Sequence, residues 1–205
     1  MATAAGLLGW IIVEWIRGGK PTLVGASSGA VAGLVAITPA CGFIAPLPAV
    51  ILGLVAGAVC ALAVSLKYKL GYDDSLDVVG VHLIGGLWGT LAIGLFQTTY
   101  VNDVGVNGLF YGGGVDQLGK QAIGAGAVLA YSFVATLIIG YAIKVTIGWR
   151  IDDEAEATGI DESEHAETAY EFSGLRTGSS SNSKAADASA GSKVPANASK
   201  EGATP

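Results

Sequence analysis

The chain has 205 residues, of which 51% are hydrophobic and only 14% charged, and its mean hydropathy is +0.55. That balance is far from the usual one of a soluble domain and argues against a soluble enzyme. Glycine supplies 31 residues, about twice the ~7% expected, but with no Gly-X-Y period and 6 prolines a collagen-like chain is excluded, so the glycine is expected to serve close packing. The net charge of -6 is confined to one end: residues 1–148 carry six acidic and six basic side chains, whereas residues 149–205 carry 11 acidic and 5 basic. No basic cluster of the kind that binds nucleic acid is present.

Taken in chain order, the first run is thirteen uncharged residues before Glu14, followed by Trp15 and Arg17. It resembles the interfacial end of a membrane span that lacks its first part, with a short interfacial helix as the alternative. With no Lys or Arg before the apolar run and no small-residue cleavage pattern after it, it does not read as a signal peptide. Four longer stretches then meet the ~20 apolar residues that a bilayer core requires: residues 22–44, 46–66, 78–102 and 121–143. Helices are expected in all four, because irregular backbone would leave unsatisfied polar groups in lipid. Thr38-Pro39 interrupts the hydrogen-bond ladder of the first stretch and predicts a kink or helix end. The fold class expected is therefore all-α, a polytopic membrane helix bundle of four full spans and one partial span.

Basic residues of short loops indicate orientation. Arg17 and Lys20, Lys67 and Lys69, and Arg150 mark three connections on one side, whereas the two intervening loops carry only Lys120. The positive-inside rule puts the C-terminal tail in the cytoplasm and the glycine-rich loop 102–119 outside. Within the spans, Gly25, Gly29 and Gly33 recur every four residues, as do Gly53 and Gly57, and Gly85 and Gly89. Each set is a flat strip along which a neighbouring backbone can approach. Three regions follow: a membrane domain over residues 1–148, an acidic tail segment over 149–172 with scattered apolar side chains for docking, and a Ser/Ala/Gly/Lys-rich stretch over 173–205 expected to be disordered.

Little in the chain can carry chemistry. There are two histidines, His82 and His165, and two cysteines, Cys41 and Cys60. No metal-ligand spacing, catalytic triad or phosphate-binding loop is present, so no metal, cofactor or enzymatic activity is expected. Both cysteines read as buried small hydrophobes. His82 lies about five residues into an otherwise uncharged span, where an ionisable group is a functional candidate. At 100° per residue it shares a face with Val78, Gly85, Gly86 and Gly89, while Trp88 points elsewhere. Two readings stay open for it: a pathway lined by imidazole and small side chains, or a histidine satisfied by a bond between helices. Asp77, at the start of that span, is placed to accept hydrogen bonds from the first free helix amides, with a direct role at the substrate as the alternative.

Four strings, GASSGAVAGLVAITPACGFI (25–44), DDSLDVVGVHLIGGLWGTLAIGLF (73–96), GLFYGGGVDQLGKQ (108–121) and GIDESEHAETAYEF (159–172), occur in an order that resembles the C-terminal half of an ammonium transporter of the Amt/Mep/Rh class. The resemblance implies an eleven-helix subunit built from inverted repeats and assembled as a homotrimer in the cell membrane. The opening run would be the end of helix seven, and the four spans helices eight to eleven. It places His82 on the second residue of the family's histidine pair and Val78 on a pore-lining position one turn away. Asp77 falls on the acidic residue at the start of the helix, and Thr38 near the pore as a structural or gating residue. It further implies ammonium or ammonia as substrate, the lipid bilayer as surroundings and a regulatory tail, carrying His165 and Tyr170, that meets a PII-type signal protein. Two competing readings accompany it: a non-conducting fragment that assembles with full-length relatives, and an ammonium sensor or transceptor.

Overall fold

A computed structural model describes residues 1–167, so Tyr170 and the expected disordered stretch lie outside the described residues. Helices follow one another as α1 (Ala2–Gly18), α2 (Leu23–Ile37), α3 (Pro46–Val64), the short α4 (Leu66–Leu70), a π-helical turn (Val78–Leu83) leading into α5 (Ile84–Phe96), α6 (Asp116–Thr146), α7 (Asp153–Thr158) and α8 (Ile160–His165). Among the described residues, three segments are long and apolar enough to cross a membrane: Pro46–Leu70, Val78–Phe96 and Asp116–Thr146. The chain is an all-α membrane helix bundle. Its described residues fall into two units, one ending at Ala142 and the other beginning at Ile143, six residues before the boundary expected from charge.

The expected span 22–44 is not one helix. Helix α2 stops at Ile37, where the Thr38 hydroxyl donates to the Leu34 carbonyl at 2.7 Å and Pro39 has no amide to continue the ladder. Residues 38–43 proceed by turns, and Ile44 forms an isolated bridge with Gln97. At 15 residues α2 is about 22 Å long, short of the ~30 Å hydrocarbon core. The third expected span likewise ends early, at Phe96, and its continuation turns back to let Thr98 donate its amide to the Phe43 carbonyl. A pair of tight connections thus meet at one end of the bundle.

The opening helix is a packed member of the bundle. Its Ala2, Ala5, Gly6, Gly9 and Trp10 are buried, and its backbone lies directly against both α2 and α3. A Cβ placed on Gly57 would collide with the Gly6 carbonyl, one on Gly33 or Gly53 with the Ala2 carbonyl, and one on Gly9 with the Leu54 carbonyl. The four-residue glycine spacing of α2 and α3 therefore performs the close approach expected from it. Gly89 does the same for α5, because its Cβ would strike the Ala36 carbonyl of α2. Around these contacts an alanine-rich core forms from Ala36, Ala40, Ala56 and Ala92 with Ile44, and Leu52 is fully enclosed.

A carboxylate fastens the turn between α1 and α2. Glu14 accepts from the Trp10 indole at 3.2 Å, from the Thr22 amide at 2.8 Å and from the Thr22 hydroxyl at 3.0 Å. The Thr22 hydroxyl in turn caps α2 by accepting from the Gly25 amide at 2.9 Å. Helix α6 contrasts with all of this. It runs for 31 residues with none buried; near its start Gly94 of α5 faces the Leu118 backbone and the Gln117 amide donates to the Gln97 side chain at 3.3 Å.

Candidate functional site

The span that bears His82 begins on a sharply bent loop. Gly71 closes α4 in the left-handed conformation, and Asp77 adopts φ 56°, unusual for a residue with a Cβ. The expectation that Asp77 caps the helix is corrected here: Asp74 does so. One Asp74 carboxylate oxygen accepts from the Val78 amide at 2.7 Å, and the other from the Val79 and Gly80 amides at 3.0 and 3.3 Å. In its left-handed conformation Asp77 is turned away from those amides, and its carboxylate meets the Lys67 ammonium at 2.6 Å. An acidic residue two or more positions upstream of the helix is invisible to a spacing rule that looks for the cap immediately before the apolar run.

The first turn is π-helical, with the Ile84 amide reaching back five residues to the Val79 carbonyl. A π turn carries more residues per turn than an α turn, so the 100° projection no longer holds across it. The expected single face divides. Gly85 and Gly89 point into the bundle, Gly85 towards Val35 and Cys60 and Gly89 onto Ala36. His82 and Gly86 line a cavity of about 670 Å³ with Thr90. Val78 is 52% exposed and lines neither this cavity nor the one described next. Trp88 lies on the opposite side and donates its indole N–H to the Leu52 carbonyl at 3.0 Å.

The larger cavity is bounded by α5, by the end of α2 at Thr38 and Pro39, and by α6, which contributes Gln121 and Ser132. A second cavity, about 400 Å³, is formed near the start of α2 by Ser27, Ser28 and Val31, with Leu76 and Asp77 from the loop. His82 lines both. The imidazole therefore stands between two cavities that follow one another along α2, with Thr38 in the first and Asp77 in the second. The walls are mostly apolar, and the polar groups offered are hydroxyls, an amide, the imidazole and a carboxylate already paired with lysine. No group of three or more His, Cys, Asp or Glu residues that could hold a metal exists among the described residues.

Outside this site, Cys60 is buried as expected, with its thiol 3.7 Å from the Val81 carbonyl, whereas Cys41 is exposed in the turns after α2. His165 ends α8 and is exposed.

Comparison with known proteins resolves the ancestry of this arrangement. Residues 1–170 match the Ammonium Transporter Family. The chain belongs to that family. It is similar to an ammonium transporter of Mycobacterium tuberculosis, with 58% identity over 177 residues that cover 84% of this chain and 37% of the relative. An ammonium transporter of Bacillus subtilis is 49% identical over 84% of this chain and 43% of its own length. Among solved structures, Saccharomyces cerevisiae Mep2 superposes with a TM-score of 0.69 at 37% identity, covering 75% of this chain and 36% of that one. A protein described as a sensor Amt protein gives 0.70 at 26% identity. The chain thus spans well under half the length of the family members it matches.

Proposed function

We propose that this chain forms the C-terminal portion of an ammonium transporter subunit, and that ammonia passes His82 as the neutral molecule. The observation that carries the reading is the place of His82 between two largely apolar cavities in a chain of this family. Ammonium hydrates strongly, and moving an unpaired ion of its size into a medium of low dielectric costs on the order of 20 kcal/mol in the idealised limit. Ammonia has no such penalty and needs only hydrogen-bond partners. A neutral imidazole supplies both kinds, donating from one ring nitrogen and accepting at the other. Selection then follows from leaving the proton outside the apolar passage.

Several companions of this reading come from the same resemblance. The subunit assembles as a homotrimer in the cell membrane with its tail in the cytoplasm, in keeping with the positive-inside rule applied to Arg17, Lys20, Lys67, Lys69 and Arg150 at the helix ends and connections. The tail segment, with His165 and Tyr170, contacts a neighbouring subunit and a PII-type signal protein. Thr38 and Asp77 border the passage on either side of His82. The named relatives are transporters, in keeping with a protein that is not an enzyme.

The test grafts residues 1–170 in place of the matching segment of the mycobacterial relative and measures methylammonium uptake in cells that lack their own transporters. His82→Ala is expected to lower uptake at least about tenfold, equivalent to ~1.4 kcal/mol of barrier, with assembly on native gels unchanged. Uptake equal to that of the unsubstituted graft would remove His82 from the pathway.

A further inference from the structure

We propose that Lys67 is a positioning residue for His82, acting through Asp77 and the loop that launches the π turn. The proposal rests on the transport reading only for its consequence in uptake; the geometry stands apart from it. Lys67 lies on α4, directly after α3, whose glycines are locked against α1. Its ammonium donates to the Asp77 carboxylate at 2.6 Å and to the Asp74 carbonyl at 2.9 Å. One cation therefore binds the loop at two points three residues apart.

What it holds is a turn capped by Asp74 and bent at Asp77 into an uncommon backbone conformation. A left-handed conformation is uncommon at a residue with a Cβ, even though Asp tolerates it better than most, and π turns are rare departures from the α-helix. Both occur in sequence here, at Asp77 and at Val78–Leu83. The Asp77 carbonyl accepts from the Val81 amide at 2.8 Å, so the conformation of Asp77 passes directly into the turn that contains His82. On the other side of that turn Gly80 rests on Val64 of α3, so close that a Cβ would overlap the valine side chain. Lys67 and Val64 thus brace the turn at its origin and along its flank, both from the same helical segment.

Lys67 has a second effect on the same cavity. Asp77 borders the smaller cavity beside His82, and its side chain is only 29% exposed. An unpaired carboxylate there would hold a cation; paired with lysine, it leaves the rim without net charge. A passage that delivers a neutral molecule is served by a rim that does not retain the protonated form.

The experiment uses histidine labelled with nitrogen-15 in the full chain, in detergent, with His165→Gln so that His82 gives the only imidazole signals. Lys67→Gln is expected to shift and broaden the His82 ring resonances while circular dichroism keeps the helix content, and Lys67→Arg to restore them by spanning the same two acceptors. Asp77→Asn, which keeps the shape and weakens the pair, should move them in the same direction by less, and decides the matter should Lys67→Gln fail to fold. Unchanged His82 resonances in the folded variants would overturn the proposal. So would a shift that Lys67→Arg leaves uncorrected, since that would signify lost packing in place of a lost tie. In the grafted transporter Lys67→Gln should lower both the maximal uptake rate and KM for methylammonium, as the cation is retained at the freed Asp77. A graft with no uptake at all, beside the expected resonance shifts, would count against the transport reading alone.

Discussion

Helices α3 and α6 both belong to segments apolar enough to cross a membrane and both contain glycine, yet they occupy opposite extremes of packing. Along α3, Gly53 and Gly57 admit the backbone of α1 so closely that no side chain fits between them. Along α6, Gly124 and Gly126 face open space, and no residue of the helix is buried in this chain. Apolar composition qualifies both for a membrane, because lipid accepts either surface. Which helices touch is decided by where small residues of one backbone meet small residues of another. The contrast also locates the candidate site: the larger cavity lies where α6 faces α2 and α5 with polar Gln121 and Ser132 opposite Thr38 and His82, whereas no comparable space remains between α1 and α3 at Gly57.

The sharpest way to break this contrast is Gly57→Leu. The Gly6 backbone cannot yield as a flexible side chain would, so the overpacking is expected to cost about 3 kcal/mol or more and to lower markedly the thermal unfolding midpoint of the detergent-solubilised chain. Asp74→Ala comes next. Three amides of the π turn would lose their acceptor, with an expected loss of about 2 kcal/mol, read as a lower midpoint together with faster hydrogen exchange confined to residues 78–80. Trp88→Phe removes one hydrogen bond to the Leu52 carbonyl while keeping most of the ring, for about 1 kcal/mol in the same melt. The smallest effect has the opposite sign: Gly124→Ala meets no neighbour and gains helix propensity, so it should stabilise by about 0.5 kcal/mol. A destabilisation at Gly124 equal to that at Gly57 would show that the two helices are packed alike, and would remove the contrast.

How far the sequence discloses the site depends on the kind of regularity each part uses. His82 stands out because an imidazole in an uncharged run has few alternatives, and Thr38-Pro39 announces the end of α2 by chemistry that acts within one turn. Val78, which the projection puts on the face of His82, lines neither cavity. Asp77 is taken for the cap because it adjoins the helix, while the capping carboxylate is Asp74, brought back by the bend at Asp77. The Glu14 clamp on Thr22 joins residues eight apart across a turn, and Cys41 becomes exposed because α2 ends before it. Each of these depends on where the chain turns, and no periodicity encodes that.

By itself the sequence determined that the chain lives in a membrane, that it is helical, which strips of glycine are built for contact, and that its charge collects at the C-terminal end. These follow from the cost of burying polar groups in lipid and from side-chain size, which act on each segment without reference to the others. Tertiary structure alone decided that α1 packs against both α2 and α3, that His82 borders two cavities at once, and that Lys67 reaches across to Asp74 and Asp77. Those facts arise from distances between segments, set by backbones that meet only after the bundle has closed.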